Sequence, residues 1–479
     1  MTARFDYCLA VDQGSHASRA VVFDAGGAIL AQAGADIETR RSPQGYIEHD
    51  PEVLLASVRT VIEQALRDSG LAPSARIAAA LATQRSTIVC WDRRSGRVLS
   101  PAISWQDRRN AAWLEGMQEH ADAIRERTGL RLSAHYGASK LRWCLDHLAE
   151  VEAAARDGRL ACGPLASYLI ARLTREGSFC ADPANASRTL LWSPDTLDWS
   201  PELLEWFGIQ RAWLPQAVPT RHTYGTVPAA AADLPLSIVT GDQSAVPFAF
   251  GTPDSACVYV NIGTGAFIQR PAAKRAPPPL LTSILYADEA RRVFVEEGTV
   301  NGAGSALVWL AETQAIDVDN VVPTLRAQDL DTLDRPLFLN AVSGLGSPYW
   351  RADVEPRFFG SGSATEHAAA VLDSIAFLIN DNLELMRGRG NPVRRVLMTG
   401  GLSQSEYLMQ ALADVSGLPV TRPAAIEATA RGAAALAFGL EQAFAPPPYV
   451  EIKPRSNSAL AARYAAWRRM MTETGAPLS

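Results

Sequence analysis

Short apolar runs that end in small polar residues recur along the chain, and they predict buried β-strands. The first covers residues 7–11, and two more follow at 20–23 and 29–33 with glycines between them. Runs of this length, rich in β-branched residues and bounded by glycine or polar residues, are typical of strands. The other strands predicted in this way cover residues 77–83, 87–92, 102–105, 236–240, 256–261 and 396–399.

Amphipathic stretches between these runs predict helices. Asp50 and Pro51 suit the N-cap and the first position of a helix that continues to about Ser69. Strands that alternate with helices indicate an α/β fold, and 479 residues are enough for two large domains. The remaining predictions are helix starts at 139 and 405, a glycine-rich helix start at 298–310, a polar turn at 182–188 and a C-terminal helix at 458–471.

The stretch Pro235–Phe267 carries the candidate chemistry. Its first strand ends in Gly241, Asp242 and Gln243, and an aspartate at the end of a strand beside a glycine suits a general base. Its second strand ends in the turn 263–265, Gly-Thr-Gly, whose backbone N–H groups can hold phosphate oxygens. Two ordinary strand ends with a solvated aspartate explain these residues equally well when they are taken alone.

The N-terminus has a similar layout. The first strand ends at Asp12 and turns through Gly14 and Ser15, so the tip of the hairpin can hold a phosphate and Asp12 can hold a Mg²⁺ water. Each half of the chain therefore begins with a strand and a glycine turn before strands and helices alternate. Two similar α/β halves around a cleft are the layout of the actin-like ATPase fold.

Composition and charge argue against several classes of protein. The net charge of -6 argues against general nucleic-acid binding. The chain has no apolar run long enough for a membrane span or a signal peptide. Its six cysteines include no C-x-x-C pair, so neither a disulfide framework nor a zinc site is indicated, and a reducing cytoplasm is expected.

Nine motifs resemble those of the FGGY carbohydrate kinases and occur in that family's order over nearly the whole chain. They are AVDQGSHASRAVVFD, GYIEHDPE, ISWQDRR, NASRTLLW with TLDW, GDQ, IGTGAF, GLGSPYW, TGGLSQSEYLMQAL and ATARGAAALA. Within the family they are most similar to its glycerol kinases. The resemblance implies two actin-like ATPase (ribonuclease H-like) domains flanking a central cleft. We expect an acceptor-binding domain at 1–250, a nucleotide-binding domain at 251–445, and a linker and helix at 446–479.

The resemblance also implies an activity and the residues that carry it. We expect transfer of the γ-phosphate of ATP to a primary hydroxyl of glycerol or a related small polyol, with Mg²⁺. Asp242 matches the general base, and Asp12 matches the aspartate that holds Mg²⁺ through water. The positions that match the acceptor site are Arg85, Ser86, Trp105, Tyr136, Asp242, Gln243 and Phe267. Those that match the nucleotide and phosphate site are Gly14, Ser15, His16, Arg19, Thr264, Gly304, Gly401 and Ser405.

Physical chemistry agrees with these roles. Phosphoryl transfer depends mainly on positioning and on neutralising phosphate charge, and a base within reach of the alcohol contributes roughly 10²–10⁴-fold. The guanidinium of Arg85 can hold vicinal hydroxyls, while Trp105 and Phe267 offer an apolar wall. Each residue also has an ordinary explanation: Trp105 and Tyr136 as core residues and Arg85 as part of a structural ion pair.

Several positions depart from the glycerol kinase pattern. Ser86 stands where those enzymes have a glutamate that accepts hydrogen bonds from glycerol, so a charged acceptor is lost and room is created. His16 replaces a threonine in the first phosphate loop, and Val308 and Ser405 replace a glutamine and an asparagine near the nucleotide. The alternative acceptor is therefore a longer polyol or a ketose of four or five carbons.

Two other classes of protein share parts of this pattern. A catalytically inactive family member could act as a ligand-binding protein, but Asp12 and Asp242 are both retained. An actin-like or chaperone-like ATPase would not need the pocket residues Arg85, Trp105 and Tyr136. We expect the partners to be a small polyol or sugar and ATP. The oligomeric state is open, with a homodimer or homotetramer as the alternatives.

Overall fold

The computed structural model describes residues 5–230, 233–331, 335–424, 427–439 and 444–474. They form two compact units. The first contains the described residues of Met1–Pro253, Thr282–Phe294 and Ile426–Pro446, and the second those of Asp254–Leu281, Val295–Ala425 and Pro447–Ser479. The segments 282–294 and 426–446 belong to the first unit although they follow residue 250 in the chain.

The secondary structure alternates between strands and helices. The strands are β1 (Tyr7–Gln13), β2 (Ala17–Asp24), β3 (Ile29–Asp36), β4 (Arg40–Arg41), β5 (Ile47–His49), β6 (Ile77–Thr83), β7 (Ile88–Asp92), β8 (Ala102–Ile103), β9 (Leu160–Pro164), β10 (Cys180–Ala181), β11 (Trp192–Ser193), β12 (Asp198–Trp199), β13 (Gln216–Ala217), β14 (Arg221–Pro228), β15 (Asp233–Gly241), β16 (Cys257–Ile262), β17 (Ala266–Ala272), β18 (Leu281–Ala287), β19 (Arg292–Val300), β20 (Leu337–Leu339), β21 (Arg357–Phe359), β22 (Arg395–Thr399), β23 (Val420–Pro423) and β24 (Tyr449–Ile452). The α-helices are α1 (Pro51–Ser69), α2 (Ala121–Thr128), α3 (Gly137–His147), α4 (Ala149–Arg156), α5 (Leu165–Leu173), α6 (Pro183–Ala186), α7 (Pro201–Phe207), α8 (Asp242–Ala245), α9 (Gly304–Gln314), α10 (Val318–Val321), α11 (Ala364–Arg387), α12 (Glu406–Ser416), α13 (Ala428–Phe438) and α14 (Ser458–Glu473). Short 3-10 helices cover Ala112–His120, Ser187–Thr189, Arg211–Trp213, Val246–Phe250, Val322–Thr324, Ala327–Asp331 and Gly401–Gln404. None of the helices that the structure describes is long and apolar enough to cross a membrane.

A six-stranded mixed sheet forms the centre of the first unit, in the order β14-β15-β6-β1-β2-β3. β1 is antiparallel to β2 and parallel to β6, and β6 is parallel to β15. Ala82 on β6 pairs with Asp12 on one side and with Thr240 on the other. Because parallel strands end at the same edge of a sheet, Asp12 and the residues after Thr240 lie at one edge.

Helices cover both faces of this sheet. Leu9 and Val11 on β1 share a buried cluster with Leu54 and Val58 of α1. Cys8 and Ala10 are also buried, and alternate residues of a strand point to opposite faces. α13 packs against β1 and β6, so we place it on the second face.

The small residues of α13 allow a close approach to α8, the helical turn that begins with Asp242. A Cβ atom added at Gly432 would lie 1.9 Å from the carbonyl oxygen of Ala245, the last residue of α8. A backbone atom at that distance leaves no room for any side chain. Gly432 therefore sets the packing of α13 against the turn that carries Asp242.

The second unit repeats the strand pairing of the first. β16 is antiparallel to β17 and parallel to β22, as β1 is to β2 and β6. β22 is parallel to β23, which is antiparallel to β24. The core of this unit lies between the sheet and helices α11, α12 and α14. α14 contributes Trp467, whose indole N–H donates to the carbonyl of Phe338 at 2.9 Å.

Most predicted elements are confirmed, including the cap of α1, where Asp50 accepts from the N–H of Glu52 at 2.9 Å. Two predictions are wrong. The polar turn at 182–188 is helical and buried, because Asp182 caps α6 by accepting from the N–H of Asn185 at 3.1 Å. The residues from Gly298 are still in β19, and the helix begins only at Gly304. A Cβ atom at Gly298 would lie 2.2 Å from Oδ1 of Asn382, so close packing explains that glycine.

We predict that Gly432→Ala lowers the free energy of unfolding by about 1–3 kcal/mol, because overpacking against backbone outweighs the better helix propensity of alanine. The midpoint of denaturant unfolding measures the effect. Gly116→Ala is the matched control, since nothing lies within 4 Å of a Cβ atom at Gly116. Equal midpoints for both variants would contradict the prediction.

Candidate active site

Three chain segments of the first unit meet at the edge of the sheet where β1, β6 and β15 end. They are residues 12–16, 84–86 and 241–243. Gln84 joins the first two, since its backbone N–H donates to the carbonyl of Gln13 at 2.8 Å. The edge therefore gathers the candidate phosphate loop, the candidate acceptor-binding arginine and the candidate base.

The hydroxyl of Ser15 links the phosphate loop to the acceptor pocket. It accepts from the indole N–H of Trp105 at 2.9 Å and donates to Oε1 of Gln84 at 3.3 Å. The N–H of Gly14 is engaged inside the turn, where it donates to the carbonyl of Ala17 at 3.0 Å. Ser15 and Trp105, which the sequence assigns to different substrates, are therefore in direct contact.

Negative charge is concentrated around Asp12. Burial raises the pKa of Asp12 to about 7, with the carboxylates of Asp242 and Glu427 adding to the effect, while Arg19 and a hydrogen bond with Thr429 lower it. Arg19 also lies 3.9 Å from Glu427. A divalent cation would offset this excess charge. Glu427 was absent from the predicted site residues, and its only signal is the ATARGAAALA motif that follows it.

Arg85 and Asp242 lie close together. Nε of Arg85 lies 3.9 Å from Oδ1 of Asp242, with the Arg85 side chain buried and that of Asp242 partly exposed. A Cβ atom at Gly241 would lie 2.6 Å from Cγ and Cδ of Arg85. Gly241 therefore lets the arginine pass directly against the backbone beside the candidate base.

A buried lysine links three segments that carry candidate acceptor residues. Nζ of Lys140 donates to the carbonyls of Ser86, Ser104 and His135 at 3.0, 2.8 and 2.8 Å. Burial lowers the pKa of Lys140 well below its usual range, but three acceptors need all three N–H groups of the ammonium form. Lys140 was absent from the predicted site residues, and its only signal in the sequence is that Lys is rare in the chain.

Three rings, those of Trp105, His135 and Tyr136, are in contact beside the candidate acceptor residues. Trp105 is half-buried, and the ring of His135 meets it edge to face at 5.8 Å between centroids. Tyr136 is buried, with the guanidinium of Arg188 over its ring at 5.0 Å. Its neighbour His135 is only half-buried. The predicted role of Tyr136 stays a prediction, and His135, which the sequence analysis missed, is a second candidate for the same wall.

In the second unit, the glycine turn after β16 is tied to the start of α9. The N–H of Gly304 donates to the carbonyl of Gly263 at 2.9 Å, and Oγ of Ser305 donates to the carbonyl of Thr264 at 3.0 Å. A Cβ atom at Gly304 would lie 2.8 Å from the Gly263 oxygen. Thr264 and Gly304, both predicted nucleotide positions, are therefore adjacent.

The turn after β22 approaches the same end of β16. Gly400 has a positive φ of 90°, and a Cβ atom there would lie 2.3 Å from the carbonyl oxygen of Ile262. Gly401 begins the short helix that follows. Ser405 is the N-cap of α12 and accepts from the N–H of Leu408 at 3.2 Å, so its hydroxyl is used in capping.

The predicted residues divide between the units. Phe267 lies on β17 of the second unit, whereas the other predicted acceptor residues lie in the first. His16 and Arg19 are exposed. The backbone N–H of Gln243 donates to Oδ1 of Asp242 at 2.7 Å. The roles of all these residues stay predictions.

Comparison with known proteins identifies the family. The model for the N-terminal domain of the FGGY family of carbohydrate kinases matches residues 7–258, and the model for the C-terminal domain of that family matches residues 258–439. The chain belongs to the FGGY family of carbohydrate kinases. This FGGY kinase is therefore a phosphotransferase that uses an alcohol group as the acceptor.

Individual relatives are similar over nearly the whole chain. A glycerol kinase of Alkalilimnicola ehrlichii is 36% identical, with 98% of each chain covered. One from Thermus brockianus is 35% identical over 89% of this chain and 88% of its own. The structure of Plasmodium falciparum glycerol kinase with ADP matches with a TM-score of 0.85 at 21% identity, and covers 98% of each chain. A xylulose kinase from Brucella ovis matches at 0.84 and 24%, over 98% of this chain and 99% of its own. These matches confirm the predicted two-domain α/β fold.

We predict that Lys140→Met lowers kcat/KM for the acceptor by roughly 10²-fold, because small misplacements of binding groups have effects of that size. The KM for ATP should change little, and steady-state kinetics separate the two. Arg270→Met is the matched control, since Arg270 is equally buried and donates to the carbonyls of Ser255, Met386, Arg389 and Asn391 in the second unit.

Both variants should melt at lower temperature, and only Lys140→Met should raise the KM of the acceptor. The same kinetic pattern in Arg270→Met would mean that Lys140 acts through general stability.

Proposed function

We propose that this FGGY kinase transfers the γ-phosphate of ATP to a primary hydroxyl of glycerol or a related small polyol. The observation that carries the proposal is the shared edge of the sheet, where Asp12, Arg85 and Asp242 converge beside Ser15. The glycerol kinases at about 35% identity support the choice of acceptor.

Asp242 is the proposed general base. It begins α8 at the end of β15, and the guanidinium of Arg85 lies 3.9 Å from its carboxylate. A neighbouring cation favours the ionised carboxylate, which is the form that accepts a proton. Arg85 and Trp105 would hold the acceptor so that its reacting hydroxyl faces Asp242. Tyr136, Gln243 and Phe267 complete the proposed acceptor site.

Mg²⁺ is the proposed metal, and the residues present fit it. Carboxylate oxygens and water are the ligands that Mg²⁺ prefers, and the carboxylates of Asp242 and Glu427 beside the buried Asp12 add negative charge that a cation would offset. Among the described residues, no three acidic, histidine or cysteine side chains are close enough to hold a metal directly. In this proposal Asp12 holds the ion through water. When bound, Mg²⁺ supplies charge neutralisation of the phosphates.

The phosphates of ATP would contact the turn of Gly14, Ser15 and His16, with Arg19 nearby. The rest of the nucleotide would contact Thr264, Gly304, Gly401 and Ser405 in the second unit. The proposed division is acceptor site and base in residues 1–250 and nucleotide site in 251–445, although α13 in that range belongs to the first compact unit. The six free, buried cysteines are consistent with the proposed cytoplasmic location.

We predict that Asp242→Asn lowers kcat by two or more orders of magnitude, because it removes the base and leaves the shape of the site unchanged. The KM for ATP should stay within about twofold. Asp233→Asn is the control, since Asp233 lies at the other end of β15 and pairs with Arg175 at 2.8 Å on the surface. Retention of half the activity by Asp242→Asn would remove this residue from the mechanism.

We also expect Asp12→Ala to lose turnover at every Mg²⁺ concentration, because the carboxylate that orients the metal water is gone. Calorimetry should show that the acceptor still binds. An equal loss of acceptor affinity would show that the metal site and the acceptor site are not separate.

A further inference from the structure

A surface cavity of about 520 Å³ lies in the first unit and shares no lining residue with the candidate active site. Three segments of the chain form it: the turn after β7, the residues that lead into β10, and the short helix and strand at 211–216. Its volume is within the range of sites that bind small molecules. Two arginines line the cavity, and none of its described lining residues is acidic. This balance of charge favours an anionic ligand.

The first arginine, Arg93, is exposed, and its guanidinium makes no hydrogen bond or ion pair with the described residues. Its backbone is fixed, because its N–H donates to the carbonyl of Arg159 at 2.7 Å. The guanidinium carbon lies 5.1 Å from the centre of the Phe179 ring, and that ring meets Trp91 edge to face at 5.4 Å. Stacking of this kind orients the guanidinium and leaves its N–H groups available to a ligand.

The second arginine, Arg211, is held in position by backbone carbonyls. Its Nη1 donates to the carbonyls of Leu214 and Pro215 at 3.1 and 3.3 Å. Its Nη2 lies 3.7 Å from Oδ1 of Asp198, which is an ion pair too long for a hydrogen bond. Asp198 does not line the cavity. The cavity therefore has an excess of positive charge, with N–H groups of both arginines available to an anion.

Neutral residues complete the lining of the cavity. Cys180 on β10 pairs with Gln216 on β13, and the backbone N–H of Gln216 donates to the carbonyl of Phe179 at 3.0 Å. This pairing fixes the backbone that carries the side chains of Gln216 and Ser178. Their amide and hydroxyl groups can bind polar atoms of a ligand, while Phe179 and Leu214 provide apolar surface for a carbon skeleton.

We propose that this cavity binds a small phosphate monoester, with the phosphate held by Arg93 and Arg211 and the carbon skeleton against Phe179. Two guanidinium groups match the charge of about −1.5 to −2 that a phosphate monoester carries at pH 7, and paired N–H groups fit phosphate oxygens. Inorganic phosphate has no carbon part for the apolar surface. The inference is independent of the proposed function, because none of these residues belongs to the candidate active site.

The native protein is tested first, by isothermal titration calorimetry at constant ionic strength, since salt screens exposed charges. The probes are ribose 5-phosphate, inorganic phosphate, succinate and ribose. We expect ribose 5-phosphate to bind with a Kd of about 1 mM or lower and inorganic phosphate to bind about tenfold more weakly. Ribose and succinate should show no measurable binding. Equal Kd values for the two phosphates would reject the ester as the ligand, and tighter binding of succinate would reject phosphate.

Variants then assign the binding to the cavity. Arg93→Met should raise the Kd of ribose 5-phosphate by about tenfold or more, because it removes charge-assisted hydrogen bonds. Arg93→Lys keeps the charge without the paired N–H groups and should recover only part of the affinity. Arg94→Met is the matched control, since Arg94 follows Arg93 in the same turn, is also exposed and does not line the cavity. Its Kd should equal that of the native protein, and kcat should be unchanged in all three variants.

Modification by phenylglyoxal, which reacts with accessible arginines, locates the site without any substitution. Mass spectrometry of the peptides should show that ribose 5-phosphate protects Arg93 and Arg211 and leaves Arg94 reactive. Equal Kd values for Arg93→Met and Arg94→Met, with no protection of Arg93, would mean that the anion binds elsewhere, for example at the proposed phosphate loop. That result would overturn the inference and leave the proposed kinase activity intact.

Discussion

One buried positive charge joins three segments of the chain that carry candidate acceptor residues. Burying an ammonium ion is costly, and in Lys140 this cost is offset by three carbonyl acceptors at hydrogen-bond distance. The carbonyls belong to Ser86, Ser104 and His135, which lie on separate segments of the chain. Each of these segments carries a candidate acceptor residue at the position that Lys140 contacts or next to it. Trp105, for example, directly follows Ser104. The ammonium group of Lys140 therefore links three separate segments.

A second constraint is the parallel pairing of β1, β6 and β15. It brings Asp12 and Asp242 to one edge of the sheet, where repulsion from Asp242 and Glu427 adds to the raised pKa of Asp12. The fold accepts this repulsion because well-packed helices on both faces hold the sheet. The packing beside the candidate site is tight, since neither Gly241 nor Gly432 has room for a side chain. The core thus stabilises this unit, and the residues at the edge of the sheet are available for binding and catalysis.

Local pattern was sufficient to predict much of the fold and part of the site. Asp12 and Asp242 could be found because each follows an apolar run and precedes or follows a glycine. Lys140 and Glu427 could not be found in this way, because the groups they interact with lie on segments that are far away in the sequence. The sequence also could not show whether Tyr136 or His135 has the more exposed ring. Adjacent residues just before a helix point their side chains in different directions, and the sequence pattern does not tell which one faces the site.

The hydrogen bond from the indole of Trp105 to Ser15 has a thermodynamic consequence. It joins a wall of the acceptor pocket to the loop proposed to hold phosphate, so a change in one affects the other. Such coupling is reciprocal: an acceptor that fixes the indole makes the loop easier to occupy, and a bound phosphate fixes the indole by the same free energy. The two substrates would then bind with mutual dependence.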